Sequence, residues 1–218
     1  MSNRKTNIFF TSDTHFGHKN VLMFGTDTRQ IILDSKLHNK LHQYWEAKKL
    51  DRSIEPEQEI LEYWKLLVIE MNERIVANWN SQVTENDVVY ILGDFSFMSD
   101  EQTYKLLQRL NGTKHLIIGN HDKFLRNVLC RKQFETISDY KEVYINDTLV
   151  CMFHYPIYEW KNMHRGSFHL YGHTHGSVDV EGKALDVGVD NRPNGDMMLW
   201  AWNEIKNYMG EQPIRSHH

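Results

Sequence analysis

Carboxylates, an amide and imidazoles recur in five short blocks along the chain: Asp13-Thr-His15, Gly93-Asp94, Gly119-Asn120-His121-Asp122, His154 and Gly172-His173-Thr-His175. Two histidines at i and i+2 behind a glycine can present both rings to one small volume only if the chain turns there. Neutral imidazole is the commonest side-chain metal ligand. A lone His-x-His also occurs on surfaces and in hydrogen-bonded cores, and a lone Gly-Asp is usually a turn. The weight comes from repetition, because each block ends a stretch that reads as a buried strand.

Those strands are the elements that must position the blocks. Residues 7–12 form a short apolar run delivering Asp13 and His15, with His18 and Asn20 on the same loop. Residues 87–92 are almost continuously apolar, as a parallel sheet requires, and run into Gly93-Asp94. After a helix over 101–110 and an Asn111-Gly112 turn, residues 114–118 repeat the arrangement and end in Gly119-Asn-His-Asp122. Strand, helix, strand is by default a right-handed crossover, which puts both loops on one edge. Sites of open α/β sheets lie outside the carboxyl ends of the strands. From about Phe134 the pattern changes to shorter strands and hairpins. Residues 142–145 and 148–153 flank a tight turn at Asn146-Asp147, and the second run ends at His154. Residues 167–171 lead to the histidine pair; 184–189 and 197–202 are expected to complete a second sheet, before a closing helix to about Met209.

The stretch between the first two blocks is helical in pattern. Ile31, Ile32, Leu33, Leu37, Leu41 and Trp45 recur at helical spacing from Arg29 onward. A break follows at Asp51-Arg-Ser-Ile-Glu-Pro56. A second, longer stripe runs through Ile60, Leu61, Trp64, Leu67, Val68, Met71, Ile75 and Trp79, whose tryptophans read as core rather than as a base-stacking platform.

The order D-x-H, G-D, G-N-H-D, H and G-H-x-H resembles the calcineurin-like metallophosphoesterase superfamily, over roughly residues 7–200. Ser12-Asp-Thr-His-Phe-Gly-His18, Trp79-Asn80 and Gly188-Val-Asp190 resemble a small bacterial and phage branch of predicted phosphoesterases. The resemblance implies a mixed α/β (α+β) fold: a two-sheet β sandwich flanked by helices, the metallo-dependent phosphatase fold. It implies one domain over 1–214, with 29–55 a helical insertion that forms a cap or a dimer face. It also implies that Asp13, His15 and His175 hold one ion, that Asn120, His154 and His173 hold another, and that Asp94 bridges them. His121 is expected to donate a proton to the leaving oxygen or hold charge on the phosphoryl group, and Asp122 to orient it by accepting a hydrogen bond.

A donor set of carboxylate, amide and imidazole without thiolate suits divalent transition metals, Mn²⁺ first and Fe, Ni²⁺, Co²⁺ or Zn²⁺ behind it, better than Ca²⁺ or Mg²⁺. Seven side chains are too many for one small cation with room for substrate. Two ions about 3.5–4 Å apart would clamp a phosphate and acidify a shared water, which attacks phosphorus in line without a covalent enzyme intermediate. The substrate is thus a phosphate ester. Protein serine/threonine phosphatases of the superfamily carry an arginine after the Gly-Asp block, and a Gly-Asn-His-Glu later. Here the chain reads Gly93-Asp-Phe-Ser-Phe97 and Gly119-Asn-His-Asp122. The missing arginine favours a phosphodiester: a nucleotide, a cyclic nucleotide or a nucleic-acid end. A phosphomonoesterase and a non-catalytic scaffold of the same fold are the alternatives. His18 and Arg165 are the candidate substrate contacts, Arg165 within an aromatic and cationic segment, 155–166, that also holds Tyr158, Trp160, Lys161 and His164. Arg126 and Arg192 rank below them.

Composition sets the outer bounds. The chain has 218 residues, 40% hydrophobic and 25% charged, as in a soluble globular protein with one large domain or one domain and an insertion. No apolar run approaches the roughly 18–20 residues of a membrane span. Met-Ser-Asn-Arg-Lys-Thr at the start lacks an apolar signal region, so a cytoplasmic protein with no membrane partner is expected. Cys130 and Cys151 read as thiols of a reducing compartment. A net charge of -4 argues against a general electrostatic grip on nucleic acid, though metals can neutralise a phosphate locally. Self-association into a homo-oligomer stays open. Arg-Ser-His-His at 215–218 resembles a tag remnant, and His217 and His218 are set apart from the chemistry.

Overall fold

Phe9 and Phe10 are neighbours in the first strand yet belong to different cores, and this split is the plan of the fold. Successive side chains of a strand point to opposite faces, so a strand covered on both sides must be apolar at every position. The computed structural model describes residues 6–24 and 27–216. In chain order it contains β1 (Ile8–Thr11), α1 (Ser35–Leu50), α2 (Gln58–Gln82), β2 (Val88–Ile91), α3 (Asp100–Arg109), β3 (Thr113–Ile117), α4 (Val128–Arg131) and β4 (Thr136–Ser138). A second run follows: β5 (Tyr140–Ile145), β6 (Thr148–Phe153), β7 (Phe168–Tyr171), β8 (Ala184–Asp186), β9 (Trp200–Ala201) and α5 (Trp202–Glu211).

The strands form two sheets, in the orders β4-β3-β2-β1-β9 and β5-β6-β7-β8. In the first, β1 to β4 are mutually parallel and β9 runs antiparallel to β1. Phe9, Val89, Ile91 and Leu116 pack against Leu67, Met71, Ile75 and Trp79 of α2 and Leu106 and Leu107 of α3. On the opposite face, Phe10, Tyr90, Leu92 and Ile117 meet Val150, Met152, Leu170 and Leu185 of the second sheet. The result is the expected sandwich of two mixed sheets flanked by helices.

Four details depart from the sequence reading. Residues 200–201 do not complete the second sheet; they pair with β1 at Phe9↔Ala201 and Phe10↔Trp200. Trp200 fills the space between the sheets, a position an apolar residue occupies equally well from either sheet. Among the described residues only β5 and β6 form a hairpin, with Asn146 at φ 52 in its turn, whereas β6, β7 and β8 are parallel. The first helix begins at Ser35 rather than near Arg29, because the Asp34 carboxylate caps it by accepting from the Leu37 N–H at 2.9 Å. Ile32 and Leu33, apolar at helical spacing, stay outside it and exposed. The three-residue strand β4 is too short for a periodic signal.

Leu41 is the buried anchor of α1, and Tyr44 and Trp45 set their rings edge-on against Trp64 of α2. Cys130 and Cys151 are buried and free. Among the described residues no helix is long and apolar enough to cross a membrane. The start of the N-terminal stretch, residues 1–5, and the histidines His217 and His218 lie outside the described residues.

Trp79 is fully buried in the helix-side core and its indole N–H donates to the Asn111 carbonyl at 3.0 Å. Trp79→Ala is expected to cost about 3–5 kcal/mol, read as a lowered urea midpoint at unchanged slope. A loss below about 1 kcal/mol would show that α2 is not held to the sheet through this ring.

Candidate metal centre

All five blocks emerge at the carboxyl ends of strands: Asp13 and His15 after β1, Asp94 after β2, Asn120 and His121 after β3, His154 after β6, His173 and His175 after β7. The loops leaving β1 and β2 stay paired beyond the sheet, with N–H to carbonyl bonds from Asp13 to Gly93, His15 to Asp94 and Phe16 to Phe95. Asp13, His15, Asp94, His173 and His175 all adopt left-handed backbone, at φ 53, 50, 53, 71 and 49. Such residues cost of order 1–3 kcal/mol each and persist where surrounding contacts over-determine them, characteristically at functional sites. Two glycines permit the crowding. A side chain at Gly172 would overlap Ser12 Oγ and Asp13 Oδ2, and one at Gly119 would overlap the backbone and carboxylate of Asp94.

Two groups of ligand-type side chains result, Asp13, His15 and His175 in one and Asp94, His154 and His173 in the other, with donor atoms in each within 4.8 Å of one another. Asp13 Oδ2 accepts from Ser12 Oγ at 2.5 Å and from the His173 N–H at 2.8 Å, tying the two sheets together. Its Oδ1 and the Nε2 of His15 are buried without a hydrogen-bond partner. They stand 3.6 Å apart, and His15 Nε2 is also 3.6 Å from Asp94 Oδ2. That is too long for a hydrogen bond and the right order for two ligands each about 2.1 Å from one ion. The other oxygen of Asp94 lies 3.7 Å from His154 Nε2, so one carboxylate faces both groups. His154 Nδ1 lies 2.7 Å from the Leu92 carbonyl and donates to it, leaving the Nε2 lone pair directed at the Asn120 amide, 3.0 Å away. The two orphaned buried atoms would be satisfied together by a cation, and the residues fit a divalent metal centre.

Behind these ligands lies a layer that fixes their tautomers. His175 Nδ1 donates to Asp190 Oδ2 at 2.6 Å, which leaves its Nε2 for a metal. Arg29, buried, grips the same carboxylate through Nε at 2.7 Å and Nη2 at 2.8 Å, and donates to the Asp13 and Thr14 carbonyls. Burial alone would raise the pKa of Asp190, but the Arg29 charge and the His175 and Arg29 hydrogen bonds hold it well below the carboxylate range. His15 Nδ1 faces His18 Nδ1 at 3.0 Å. With Nε2 of His15 turned to a metal, its Nδ1–H donates and His18 accepts, so His18 is neutral with its proton on Nε2. Burial, reinforced by the neighbouring His15 and His121, lowers the pKa of His18 to about 4.

The structure thus gathers Asp13, His15, Asp94, Asn120, His154, His173 and His175, with His18 beside them. The His121 backbone N–H donates to Asp94 Oδ1 at 2.8 Å, and its ring sits 6.3 Å from that of His15 and 4.8 Å from that of Phe97. Asp122 has another position than the one expected. Its carboxylate accepts from the backbone N–H groups of Asp94, Phe95 and Gly119, at 3.1, 2.8 and 2.8 Å, and so clamps the two loops rather than the His121 ring. Burial pushes its pKa up to about 6 against the pull of those bonds. Arg165 does not join the cluster. Because β6 and β7 are parallel, the segment between them travels the length of the sheet, and Arg165 ends at the amino end of β7, opposite the ligands. There Gly166 faces Ile214 and Lys183. Trp160 is buried on the outer face of the second sheet and Lys161 pairs with Glu142, leaving Tyr155 as the part of 155–166 that touches ligands. Arg192 binds Asp196 and Glu204 and covers Trp200, and Arg126 lies exposed on the turn after Asp122.

Arg29 and the role of Asp190 escaped the sequence reading. Gly188-Val-Asp190 was legible as a motif without a task, and Arg29 carried no signal, being one basic residue at the edge of an apolar stripe.

A two-sheet sandwich with a mixed nitrogen and oxygen cluster at its strand ends defines a metal-binding phosphoesterase class. The calcineurin-like phosphoesterase family model matches residues 6–177, and the chain belongs to that family of phosphoric ester hydrolases. It is similar to the uncharacterized protein MJ1445 of Methanocaldococcus jannaschii, 30% identical over 126 residues that cover 57% of this chain and 50% of the relative. The match therefore spans about half of that relative's length. It is 22% identical to the gene 66 protein of Mycobacterium phage L5 over 85% of this chain and 87% of the phage protein. In fold it is similar to a protein of unknown function, AQ665 of Aquifex aeolicus, with a TM-score of 0.58 at 19% identity, covering 94% of this chain and all of the other.

Replacing Arg29 by Met leaves the Asp190 carboxylate buried without its cation. Arg29→Met is expected to cost about 3–5 kcal/mol in urea unfolding of the metal-free protein. By releasing His175 it is also expected to weaken metal retention against a chelator about 10–100-fold. Unchanged stability and retention would remove Arg29 from the support of the site.

Proposed function

We propose that the chain is a dinuclear metal-dependent phosphodiesterase acting on a nucleotide, a cyclic nucleotide or a nucleic-acid end. The observation that carries this reading is Asp94, whose two oxygens face His15 Nε2 at 3.6 Å and His154 Nε2 at 3.7 Å. Asp13, His15 and His175 would hold one ion, Asn120, His154 and His173 the other, with Asp94 between them. When bound, the ions supply positive charge for the phosphate oxygens and a water acidified for attack on phosphorus. Mn²⁺ is the first choice for this donor set, and the buried free thiols suit a reducing cytoplasm.

The protein's own groups divide the remaining work. Asp13 is fixed by Ser12 and His173, His175 by Asp190, and His154 by the Leu92 carbonyl, so the ligands are oriented before any ion or substrate arrives. His121, its main chain anchored on Asp94, is the proton donor to the leaving oxygen. Asp122 positions it by holding the loop from which it projects. The preference for a diester rests on charge. Phe97 stands in the stretch where superfamily protein phosphatases carry an arginine, and the guanidinium beneath the cluster, Arg29, is buried and neutralised by Asp190. A diester, with one negative charge fewer than an ionised monoester, needs less compensation.

Metal-stripped protein given Mn²⁺, Ni²⁺, Zn²⁺ or Mg²⁺ is expected to recover hydrolysis of bis-p-nitrophenyl phosphate in preference to p-nitrophenyl phosphate. A monoester preference would replace the diesterase with a monoesterase, and metal binding without turnover would favour a scaffold. His121→Ala is expected to keep its metal content and lose about 10²–10⁴ in turnover. Loss of the metals in that variant would make His121 a ligand instead of an acid.

A further inference from the structure

Large aromatic rings left in water stand against both halves of the metal cluster. Phe97 is 36% exposed, Phe24 56% and Tyr155 36%. The Phe97 ring lies flat on His18, with centroids 4.0 Å apart and planes 9° apart, and it also sits 5.0 Å from His15 and 4.8 Å from His121. Phe24 extends this surface, edge-on to His18 at 5.9 Å. Beside the other donor group, Tyr155 stands 4.6 Å from His173 and 4.9 Å from His154, and its hydroxyl donates to Asn120 Oδ1 at 3.4 Å.

Tyr155 has a polar task in that bond. Phe97 has none: its backbone N–H is spent on the Phe16 carbonyl at 2.8 Å, and its phenyl can neither ligate a metal nor grip a phosphate. One face of the phenyl is covered by His18, and its remaining exposed surface gains free energy when another flat ring removes it from water. Stacking on aromatic side chains is how proteins hold nucleobases without reading their edges. Phe97 also adjoins His15, so a ring lying on it would stand beside the donor cluster, where a ribose can join a base on C1′ to a phosphate on C5′.

We infer that Phe97, extended by Phe24, is the platform on which a nucleobase of the substrate stacks. This rests on the phosphoesterase reading of the same site and assigns to named residues the selection of its base-bearing substrates over sugar phosphates, lipid headgroups and other aliphatic esters.

Equilibrium binding of AMP and ribose 5-phosphate to the Mn²⁺-loaded full chain tests it, since ribose 5-phosphate carries an anomeric hydroxyl where AMP carries the base. AMP is expected to bind about tenfold more tightly or better. In Phe97→Ala the ratio of the two affinities is expected to fall close to one, in Phe97→Trp to persist, and in Phe24→Ala to fall part of the way. Equal affinities in the parent protein, a full ratio in Phe97→Ala, a ratio lost in Phe97→Trp, or failure of both ligands to bind would each overturn the platform. Hydrolysis of bis-p-nitrophenyl phosphate is read separately. A chain that prefers AMP but turns over nothing loses the reaction and keeps the platform, and one that turns over without base preference loses the platform alone.

Discussion

The close approach of loops from two different sheets is the constraint on which the rest of this protein depends. The chain leaving β7 passes over the end of β1 so tightly that Gly172 has no room for a side chain against Ser12 and Asp13. Gly119 meets Asp94 in the same way, across β2 and β3. A parallel bridge between Ser12 and Gly188 closes the second sheet onto the first at the same edge. Candidate ligands from β1, β2, β3, β6 and β7 then fall into one volume, with left-handed backbone at five of them. Backbone bonds between the β1 and β2 loops, and the Asp122 carboxylate on three N–H groups, offset that strain.

Charge is arranged in layers around this volume. The inner layer is a set of lone pairs that repel one another without cations, which is why Asp13 Oδ1 and His15 Nε2 stand buried and unpartnered. Outside it, Asp190 holds a proton on His175 Nδ1 and is itself held by Arg29, whose guanidinium also ties the Asp13 and Thr14 carbonyls. A buried ion pair is a weak source of stability because desolvating both charges costs several kcal/mol each. Its effect here is orientation, since it locks a tautomer and two turns of backbone in one contact. Asp122 shows the converse economy: a carboxylate whose pKa is pushed up by burial is kept as a backbone clamp because three N–H groups converge on it.

The rim of the site differs in character from its floor. Imidazoles and carboxylates line the floor, while Phe97, Phe24 and Tyr155 stand around the mouth with much of their surface in water. Three cationic side chains that the fold holds are engaged with carboxylates: Arg29 below the floor with Asp190, Arg192 with Glu204 and Asp196, and Lys161 with Glu142. On the proposed reading, such a rim would recognise a substrate by flat apolar contact and leave its phosphate to the candidate metal site.

The sequence by itself determined the family, the sandwich of two sheets and the residue types gathered at the candidate site. Each of these is carried by local order: apolar runs long enough to be buried on both faces, each ended by a short block whose chemistry is fixed by residue type. It also placed the turn at Asn146-Asp147 and the buried stripe of α2. Tertiary structure decided what depends on which segments meet. The parallel course of β6 and β7 carried Arg165 to the far end of the sheet while leaving Tyr155 beside His173, although both lie in one candidate segment. Trp200 joined β1 because that edge needed a strand, and its apolar pattern could not say so. Arg29 and Asp190 are separated by 161 positions and become partners only when the loop after β1 is folded under the turn after β8. A residue's chemistry is written in its side chain; its partner is written in the path of the backbone, which local pattern does not encode.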